Sequence, residues 1–150
     1  MAMSLQFGVR DPDVKHRERA CAFGLAIRDG RIACVRVDRG EASYYDLPGG
    51  ARDPGEDEAT ALVREFAEET GLRVVPAVRF AEAGQYFRKS DGEPVHNEAG
   101  FWTVEIEGED PAAKVEDDHE LVWLGAGDAL AGLRHEAHAW AVTAWLRAAS

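Results

Sequence analysis

Positive charge is scarce in this sequence. It has 17 lysines and arginines against 28 aspartates and glutamates, a formal net charge of -11 at pH 7. A protein that binds a nucleic-acid polymer meets the phosphates with a basic face, and no such face is visible in this chain. The composition therefore argues against a nucleic-acid polymer as partner. It is compatible with a small polyanion whose charge a divalent cation neutralises locally.

Long apolar runs and a signal-peptide pattern are missing as well. We therefore expect no membrane partner and a cytoplasmic location. Residues 1–18 are dense in charge and predict a polar N-terminal leader, partly ordered but outside the core. The sequence gives no indication of oligomeric state, and a homodimer is one possibility.

Cysteine is rare too, with Cys21 and Cys34 as the two occurrences. The Asp29-Gly30 pair is typical of a two-residue turn, and it predicts a hairpin of residues 20–27 and 31–37. In that hairpin neither cysteine lies opposite the other, so no disulfide is predicted. We expect both thiols to be buried and reduced.

Strand patterns alternate with two helical patterns along the chain. Strands are predicted at residues 20–27, 31–37, 43–47, 73–88, 100–107 and 121–124. Helices are predicted at 57–70 and 134–148, the second with an apolar face of Leu133, Ala137, Trp140, Ala141, Ala144 and Ala148. Pro76 predicts an irregularity in the long fourth strand. The pattern predicts one α/β domain over residues 1–150, with a mixed sheet sandwiched between helices.

The first helix carries a row of carboxylates, Glu65, Glu68 and Glu69, separate from its apolar face. That face, expected to pack on the sheet, consists of Ala59, Leu62, Val63 and Phe66. On a solvated helix such a row is common, because each like-charged pair costs only about 0.2–0.5 kcal/mol. When partly sheltered at ~6 Å, each pair repels by roughly 3 kcal/mol at an effective dielectric near 20.

The position of this row favours a functional interpretation. It follows a Pro48-Gly49-Gly50 turn that leaves a strand, and glycine lets the backbone approach a phosphate closely. A divalent cation would turn the repulsion between the carboxylates into attraction. Magnesium takes oxygen ligands, which substrate phosphates often complete.

The same residues resemble the Nudix box at every defining position. Gly50 is followed after five residues by Glu56, and after seven more by Arg64-Glu65-Phe66-Ala67-Glu68-Glu69-Thr70-Gly71-Leu72, which covers 23 of 150 residues. The resemblance implies the Nudix fold, an α/β/α sandwich. It also implies hydrolysis of a diphosphate linkage in a nucleoside diphosphate derivative or a nucleoside triphosphate. It places Glu56 in the loop and favours Asp57 over Asp53 as the helix N-cap.

The resemblance also implies roles for the residues of the box. Glu65 and Glu69 correspond to the principal metal ligands, and Glu68 to a further ligand or the general base. The carbonyl of Gly49 joins the coordination, and Arg64 orients a carboxylate within the catalytic group. Mg²⁺ is the implied cofactor, with Mn²⁺ as a substitute, because bound cations neutralise phosphate oxygens and activate water.

Outside the box, relatives often place another acidic ligand before a late strand that ends in tryptophan. Glu116 is the preferred candidate here and Glu120 the next, although a solvated acidic loop explains them nearly as well. The candidates for binding the substrate are Gly50 and the aromatic side chains of Tyr86, Phe87 and Trp102. Aromatic side chains of this kind are more often part of the hydrophobic core than of a binding site. The same two interpretations, substrate binding or core packing, apply to Tyr44 and Tyr45. His135 and His138 lack zinc-site spacing and are expected to be exposed.

Subfamily motifs do not identify the substrate. The Ser-Gln-Pro-Trp array of NADH pyrophosphatases is absent, and Pro76 lies too close to Leu72 for an ADP-ribose pyrophosphatase. Tyr86 lies 14 residues after Leu72, near the position typical of dinucleoside polyphosphate hydrolases. By elimination we expect a small nucleoside triphosphate, such as a damaged nucleotide. A dinucleoside polyphosphate hydrolase, a Nudix-fold nucleotide sensor without turnover and an isoprenoid diphosphate isomerase remain alternatives.

Overall fold

A computed structural model describes residues 4–40 and 42–149. The strands are β1 Leu5–Phe7, β2 Arg17–Leu25, β3 Ile27–Arg28, β4 Arg31–Asp38, β5 Ser43–Asp46, β6 Gly49–Ala51, β7 Leu72–Arg88, β8 Pro94–Glu109 and β9 His119–Leu124. The helices are α1 Glu58–Thr70, α2 Ala126–Gly132 and α3 Glu136–Ala149, with a 3₁₀ turn at Pro111–Ala113.

The strands form two sheets. The larger is mixed, in the order β1-β7-β8-β2-β6, with β1–β7 and β2–β8 parallel and the other two pairs antiparallel. In the smaller sheet β4 pairs antiparallel with β3, β5 and β9. The β7–β8 register shifts between Pro76 and Val78, which confirms the predicted irregularity. The polar leader contributes β1, at the edge of the larger sheet, and the start of β2.

Strand β2 is buried on both faces and lies between the helices. Cys21 and Phe23 pack in one hydrophobic cluster together with residues of α2 and α3. Ala22, on the opposite face, packs in a second cluster with Leu62 and Phe66 of α1. Helix α1 therefore covers one face of the sheet and α3 the other, which confirms the predicted α/β sandwich with a mixed sheet.

A glycine in β2 sets the depth at which α1 packs. A Cβ built on Gly24 would lie 2.5 Å from a ring carbon of Phe66, so a larger residue here would push the helix away from the sheet. Phe66 and Leu62 are fully buried at this contact, as predicted. Val63 is 36% exposed, contrary to prediction, because it lies at the edge of the packed face.

Both ends of α1 follow the sequence signals. The Asp57 carboxylate accepts a hydrogen bond from the Thr60 amide at 2.8 Å, which confirms Asp57 as the N-cap. Gly71 adopts the left-handed conformation at φ 74° and donates its N–H to the Ala67 carbonyl. These caps fix the helix so that its carboxylates emerge beside β6.

The predicted hairpin of residues 20–27 with 31–37 is wrong beyond its tip. Only Ile27 and Arg28 pair with β4, because the chain leaves β2 after Leu25 and crosses to the other sheet. Strand β2 instead pairs with β6 and β8. Cys21 and Cys34 are nevertheless free and buried, as predicted.

The C-terminal helical segment differs from the prediction in two respects. It is split into α2 and α3, which begins at Glu136 rather than at position 134. His135 and His138 are buried, at 4% and 2% exposure, so their predicted exposure is wrong. The Nδ1 atom of His138 accepts the Leu47 amide at 3.2 Å, and the ring packs on Phe23. No helix in the described part of the chain has the length and apolar character that crossing a bilayer requires.

These buried histidines should make folding stability depend on pH. Burial lowers the pKa of His135 to about 3 and that of His138 well below 6.5. The unfolded chain binds protons at both rings near pH 6.5 while the folded chain does not. We therefore expect stability to be retained above that pH and to fall as the pH drops below it, by up to about 1.4 kcal/mol per pH unit for each histidine.

Urea unfolding across this pH range, on the wild type and on His138→Asn, measures the effect. The asparagine retains an oxygen that accepts a hydrogen bond but does not titrate, so the variant should show a shallower loss of stability on acidification. An identical pH dependence in both proteins would contradict the assignment.

Candidate active site

Two glycines bring the backbone of β6 against α1. Gly49 has φ 144°, and a Cβ there would lie 2.1 Å from the Ala22 carbonyl oxygen. A Cβ on Gly50 would lie 2.9 Å from the carboxyl carbon of Glu65. Because neither position has room for a side chain, the carboxylates of α1 can lie directly on the turn.

Glu69 is the most deeply placed of these carboxylates. Its side chain is 10% exposed, and one oxygen accepts the Gly49 amide at 2.9 Å. The other oxygen lies 3.3 Å from Nε2 of His119. Burial raises the pKa of Glu69 well above 4.5; the Gly49 hydrogen bond opposes this shift, and nearby carboxylates including Glu65 and Asp46 reinforce it.

Glu65 lies in a similar environment. Burial raises its pKa, Arg64 opposes the shift, and the charges of Glu68 and Glu116 reinforce it. Glu65 and Glu69 are therefore two acidic groups whose burial disfavours the ionised form.

Arg64 is the cation that holds the cluster together. Its guanidinium donates to both oxygens of Glu56 at 2.8 and 2.9 Å, to Glu65 at 3.0 Å and to Glu68 at 3.2 Å. It also donates to the Ala51 carbonyl at 3.1 Å, which ties the helix to β6. The Arg64 hydrogen bonds lower the pKa of Glu56 to about 2. Glu56 lies in the loop before α1, where the resemblance placed it.

The loop before β9 adds a further acidic group. The amides of Val115 and Glu116 both donate to the Glu68 carbonyl, at 3.0 and 3.1 Å. Ligand atoms of Glu116, Asp118 and His119 lie within 4.8 Å of one another. Glu116 is therefore beside the cluster. Glu120 is exposed and contacts Arg36 at 4.0 Å instead.

A cavity of ≈ 160 Å³ opens next to these carboxylates. Gly49, Gly50, Glu69 and His119 form part of its wall. Four basic side chains and the rings of two phenylalanines and a tyrosine also line it, namely Arg19, Arg39, Lys89, Arg134, Phe23, Phe87 and Tyr44. Three of these cations are already paired with carboxylates, Arg39 with Asp118, Lys89 with Glu93 and Arg134 with Asp46.

A family model described as the NUDIX domain matches residues 15–146. The chain belongs to the Nudix family. A protein of Bacillus subtilis (strain 168), provisionally named an 8-oxo-dGTP diphosphatase, is 35% identical over 106 residues, 71% of this chain. The match spans 66% of that relative's length, just under two thirds.

Solved structures share the fold. A NUDIX hydrolase from Nitrosomonas europaea aligns with a TM-score of 0.74 at 20% identity, covering 88% of this chain and 90% of its own. A MutT NUDIX hydrolase from Burkholderia pseudomallei aligns with a TM-score of 0.57 at 27% identity, covering 85% and 98%. The fold of these Nudix proteins is thus the fold of this chain.

Among the predicted substrate-binding residues, Gly50 and Phe87 line the cavity, whereas Tyr86 and Trp102 do not. Tyr86 stacks on His96 with ring centroids 4.0 Å apart. Trp102 donates its indole N–H to Glu58 at 2.8 Å, on the α1 side of the sheet. Each of these two rings lies against another part of the Nudix domain, and its contact with substrate stays a prediction.

Sequence reasoning missed several residues of the site. The sequence did contain a signal that the His119 side chain points inward, because it shares a strand face with the partly buried Leu121 and Trp123. Asp46, Asn97 and Arg134 had none in the local pattern. Arg134 donates to Asp46 at 2.9 Å across 88 positions of sequence, a contact that only the fold creates.

Removing the central cation of the Nudix box should destabilise the fold. Arg64→Met leaves Glu56, Glu65 and Glu68 without their common donor, and we expect unfolding free energy to drop by about 1–3 kcal/mol. Arg36→Met is the matched control, since Arg36 is 41% exposed and makes one long ion pair. It should change stability by less than about 0.5 kcal/mol. Equal losses in urea unfolding would rule out a special role for Arg64.

Proposed function

We propose that this chain is a Nudix pyrophosphohydrolase. It cleaves a diphosphate linkage in a nucleoside triphosphate or a nucleoside diphosphate derivative, with water attacking phosphorus. One observation carries the proposal. The carboxylates of Glu65 and Glu69 lie on the Gly49-Gly50 turn, beside a cavity whose wall carries four basic side chains, and Arg64 holds Glu68 next to Glu65.

The donor set fits a hard divalent cation. Carboxylate oxygens from Glu65, Glu69, Glu68 and Glu116, with the Gly49 carbonyl, are the ligand type that Mg²⁺ takes and that Mn²⁺ shares. Burial, together with neighbouring carboxylates, raises the pKa of both Glu65 and Glu69, which supports a nearby positive charge as their partner. When bound, the cation neutralises phosphate oxygens and lowers the pKa of the attacking water.

We assign the other catalytic roles from the exposure and the contacts of each residue. Glu65 and Glu69, whose side chains are 15% and 10% exposed, hold the cation. Glu68 is 32% exposed, the most accessible of the three, and we assign it the role of accepting the proton from water. Arg64 keeps Glu65 and Glu68 in orientation through its hydrogen bonds.

The basic side chains in the cavity wall support a polyphosphate substrate. Lys89 and Arg19 offer donors for phosphate oxygens near the carboxylates. The provisional name of the Bacillus subtilis relative supports a nucleoside triphosphate, including one with a damaged base, as the substrate class.

An isoprenoid diphosphate isomerase is disfavoured by the cysteines. Neither Cys21 nor Cys34 lines the cavity, and burial raises the pKa of these thiols to about 11 and about 12. A thiol so buried and so hard to ionise cannot serve as a reactive group in this cavity.

The proposal predicts that Glu69→Gln lowers turnover by two or more orders of magnitude, on the order of the loss for a transition-state contact. The change removes one charge without altering size, so the fold should persist. Glu105→Gln, at an exposed position of β8, is the matched control and should retain wild-type turnover. Release of phosphate or pyrophosphate from nucleoside triphosphates, with Mg²⁺ and again with EDTA, provides the measurement.

Two results would contradict the proposal. The first is unchanged turnover in Glu69→Gln, which would remove that residue from the chemistry. The second is nucleotide binding by the wild type without any Mg²⁺-dependent release, which would identify a sensor instead.

A further inference from the structure

The Glu69 carboxylate is held at both of its oxygens. One oxygen accepts the Gly49 amide at 2.9 Å, and the other lies 3.3 Å from Nε2 of His119. The last torsion of a glutamate side chain has no sharp preference, so one hydrogen bond alone leaves the carboxylate free to turn. The contact with His119 restricts that rotation. His119 is therefore placed to set the orientation of the Glu69 carboxylate.

The His119 ring is in turn held from behind. Its Nδ1 lies 2.7 Å from a carboxylate oxygen of Asp118, and Asp118 is paired with Arg39. The Asp118 carbonyl accepts the Asp38 amide at 3.0 Å, and His119 lies opposite Val37 in the pairing of β9 with β4. A chain of polar contacts thus runs from the end of β4 through the ring to α1.

Both neighbours of the ring are carboxylates, so hydrogen bonds here run outward from the ring. A carboxylate that binds a cation is ionised, and an ionised carboxylate only accepts hydrogen bonds. Each of its oxygens has two lone pairs, so an oxygen that accepts an N–H can still bind a cation. The contact with His119 is therefore compatible with the role of Glu69 as a cation ligand.

His119 could instead bind the cation itself. Ligand atoms of Glu116, Asp118 and His119 lie within 4.8 Å of one another, close enough for a shared ion. Both ring nitrogens, however, already face carboxylates, Nδ1 that of Asp118 and Nε2 that of Glu69. Because neither nitrogen is directed at open space, the contacts favour a ring that supports a ligand.

Building on the function proposed above, we propose that His119 is a positioning residue, which holds the Glu69 carboxylate in the orientation that binds the divalent cation. Asp118 and Arg39 keep the ring in place for this purpose. Loss of such a supporting contact typically lowers metal affinity by about tenfold to hundredfold.

Two substitutions of His119 separate its two contacts. The amide nitrogen of glutamine reaches about as far as Nε2, so His119→Gln retains a donor towards Glu69. Asparagine reaches only as far as Nδ1, so His119→Asn retains a donor towards Asp118 and loses the one towards Glu69. Both variants remove the ring and its capacity for positive charge, so a difference between them reports on the Glu69 contact.

The measurement is the Kd of Mn²⁺ without substrate, obtained from the EPR signal of the free ion. We expect His119→Asn to weaken binding by about tenfold to hundredfold and His119→Gln to stay within about threefold of the wild type. His16→Gln is the matched control, since His16 packs against Tyr86 and does not line the cavity, and it should keep the wild-type Kd. The Kd is fitted separately from the number of sites, so partial loss of folded protein does not alter it.

Pulsed EPR of the bound Mn²⁺ distinguishes support from ligation. A spectrum without the coupling of a directly bound imidazole nitrogen agrees with the inference, and a coupling that disappears in His119→Gln overturns it. Equal Kd values for the two His119 variants, whether both unchanged or both weakened, overturn it as well.

The outcome for the hydrolytic function is read separately. If His119→Asn alone weakens Mn²⁺ binding but the wild type releases no phosphate or pyrophosphate from nucleoside triphosphates, the inference stands and the proposed function fails. If the wild type hydrolyses them and His119→Asn binds Mn²⁺ as tightly as the wild type, the inference fails and the function stands.

Discussion

Repulsion among Glu65, Glu68 and Glu69 is the constraint on which the rest of this site depends. Folding places these three carboxylates within little more than one turn of α1 and lays them against the backbone of β6. Arg64 compensates Glu65 and Glu68, but its hydrogen bonds do not extend to Glu69. Glu69 is left with one amide and one imidazole. Its burial raises its pKa, and neighbouring carboxylates reinforce that shift. A site arranged in this way gains stability when a cation binds.

The scaffold is built to hold this arrangement. Gly24 lets Phe66 pack close to β2, which brings α1 down onto the sheet. Gly50 then leaves room for the Glu65 carboxylate, and the loop before β9 is tied to the Glu68 carbonyl by two amides. The acidic cluster therefore lies between rigid elements rather than on a mobile surface. Such positioning is what phosphoryl-transfer catalysis chiefly requires of a protein.

Local signals in the sequence predicted the elements that bear the chemistry. Helix α1 and its end before Gly71 follow from periodicity and capping preferences, which act over a few residues, whereas the choice of Asp57 over Asp53 as N-cap followed from the resemblance. The loop position of Glu56 followed from the resemblance to the Nudix box. The predicted hairpin failed because its turn is local but the partner of β2 is not: β2 pairs in parallel with β8, some 78 residues away.

The burial of His138 and the lining of the cavity could not be predicted for the same reason. His138 is buried because it accepts the Leu47 amide 91 residues away, and no pattern near His138 reports that contact. Tyr86 and Phe87 are neighbours in β7, so the alternation of side chains along a strand predicts that their rings lie on opposite faces of the sheet. The alternation does not predict which of the two faces borders the cavity. Only the assembled fold shows that Phe87 does.

The central claim is that the carboxylates of α1 form a cation site. Anomalous diffraction from crystals soaked in Mn²⁺ tests it most directly, because it locates the ion independently of any substrate. We expect a strong anomalous peak beside the Gly49-Gly50 turn, from a Mn²⁺ ion coordinated by Glu65 and Glu69. Saturating Mn²⁺ with no peak at these carboxylates would contradict it.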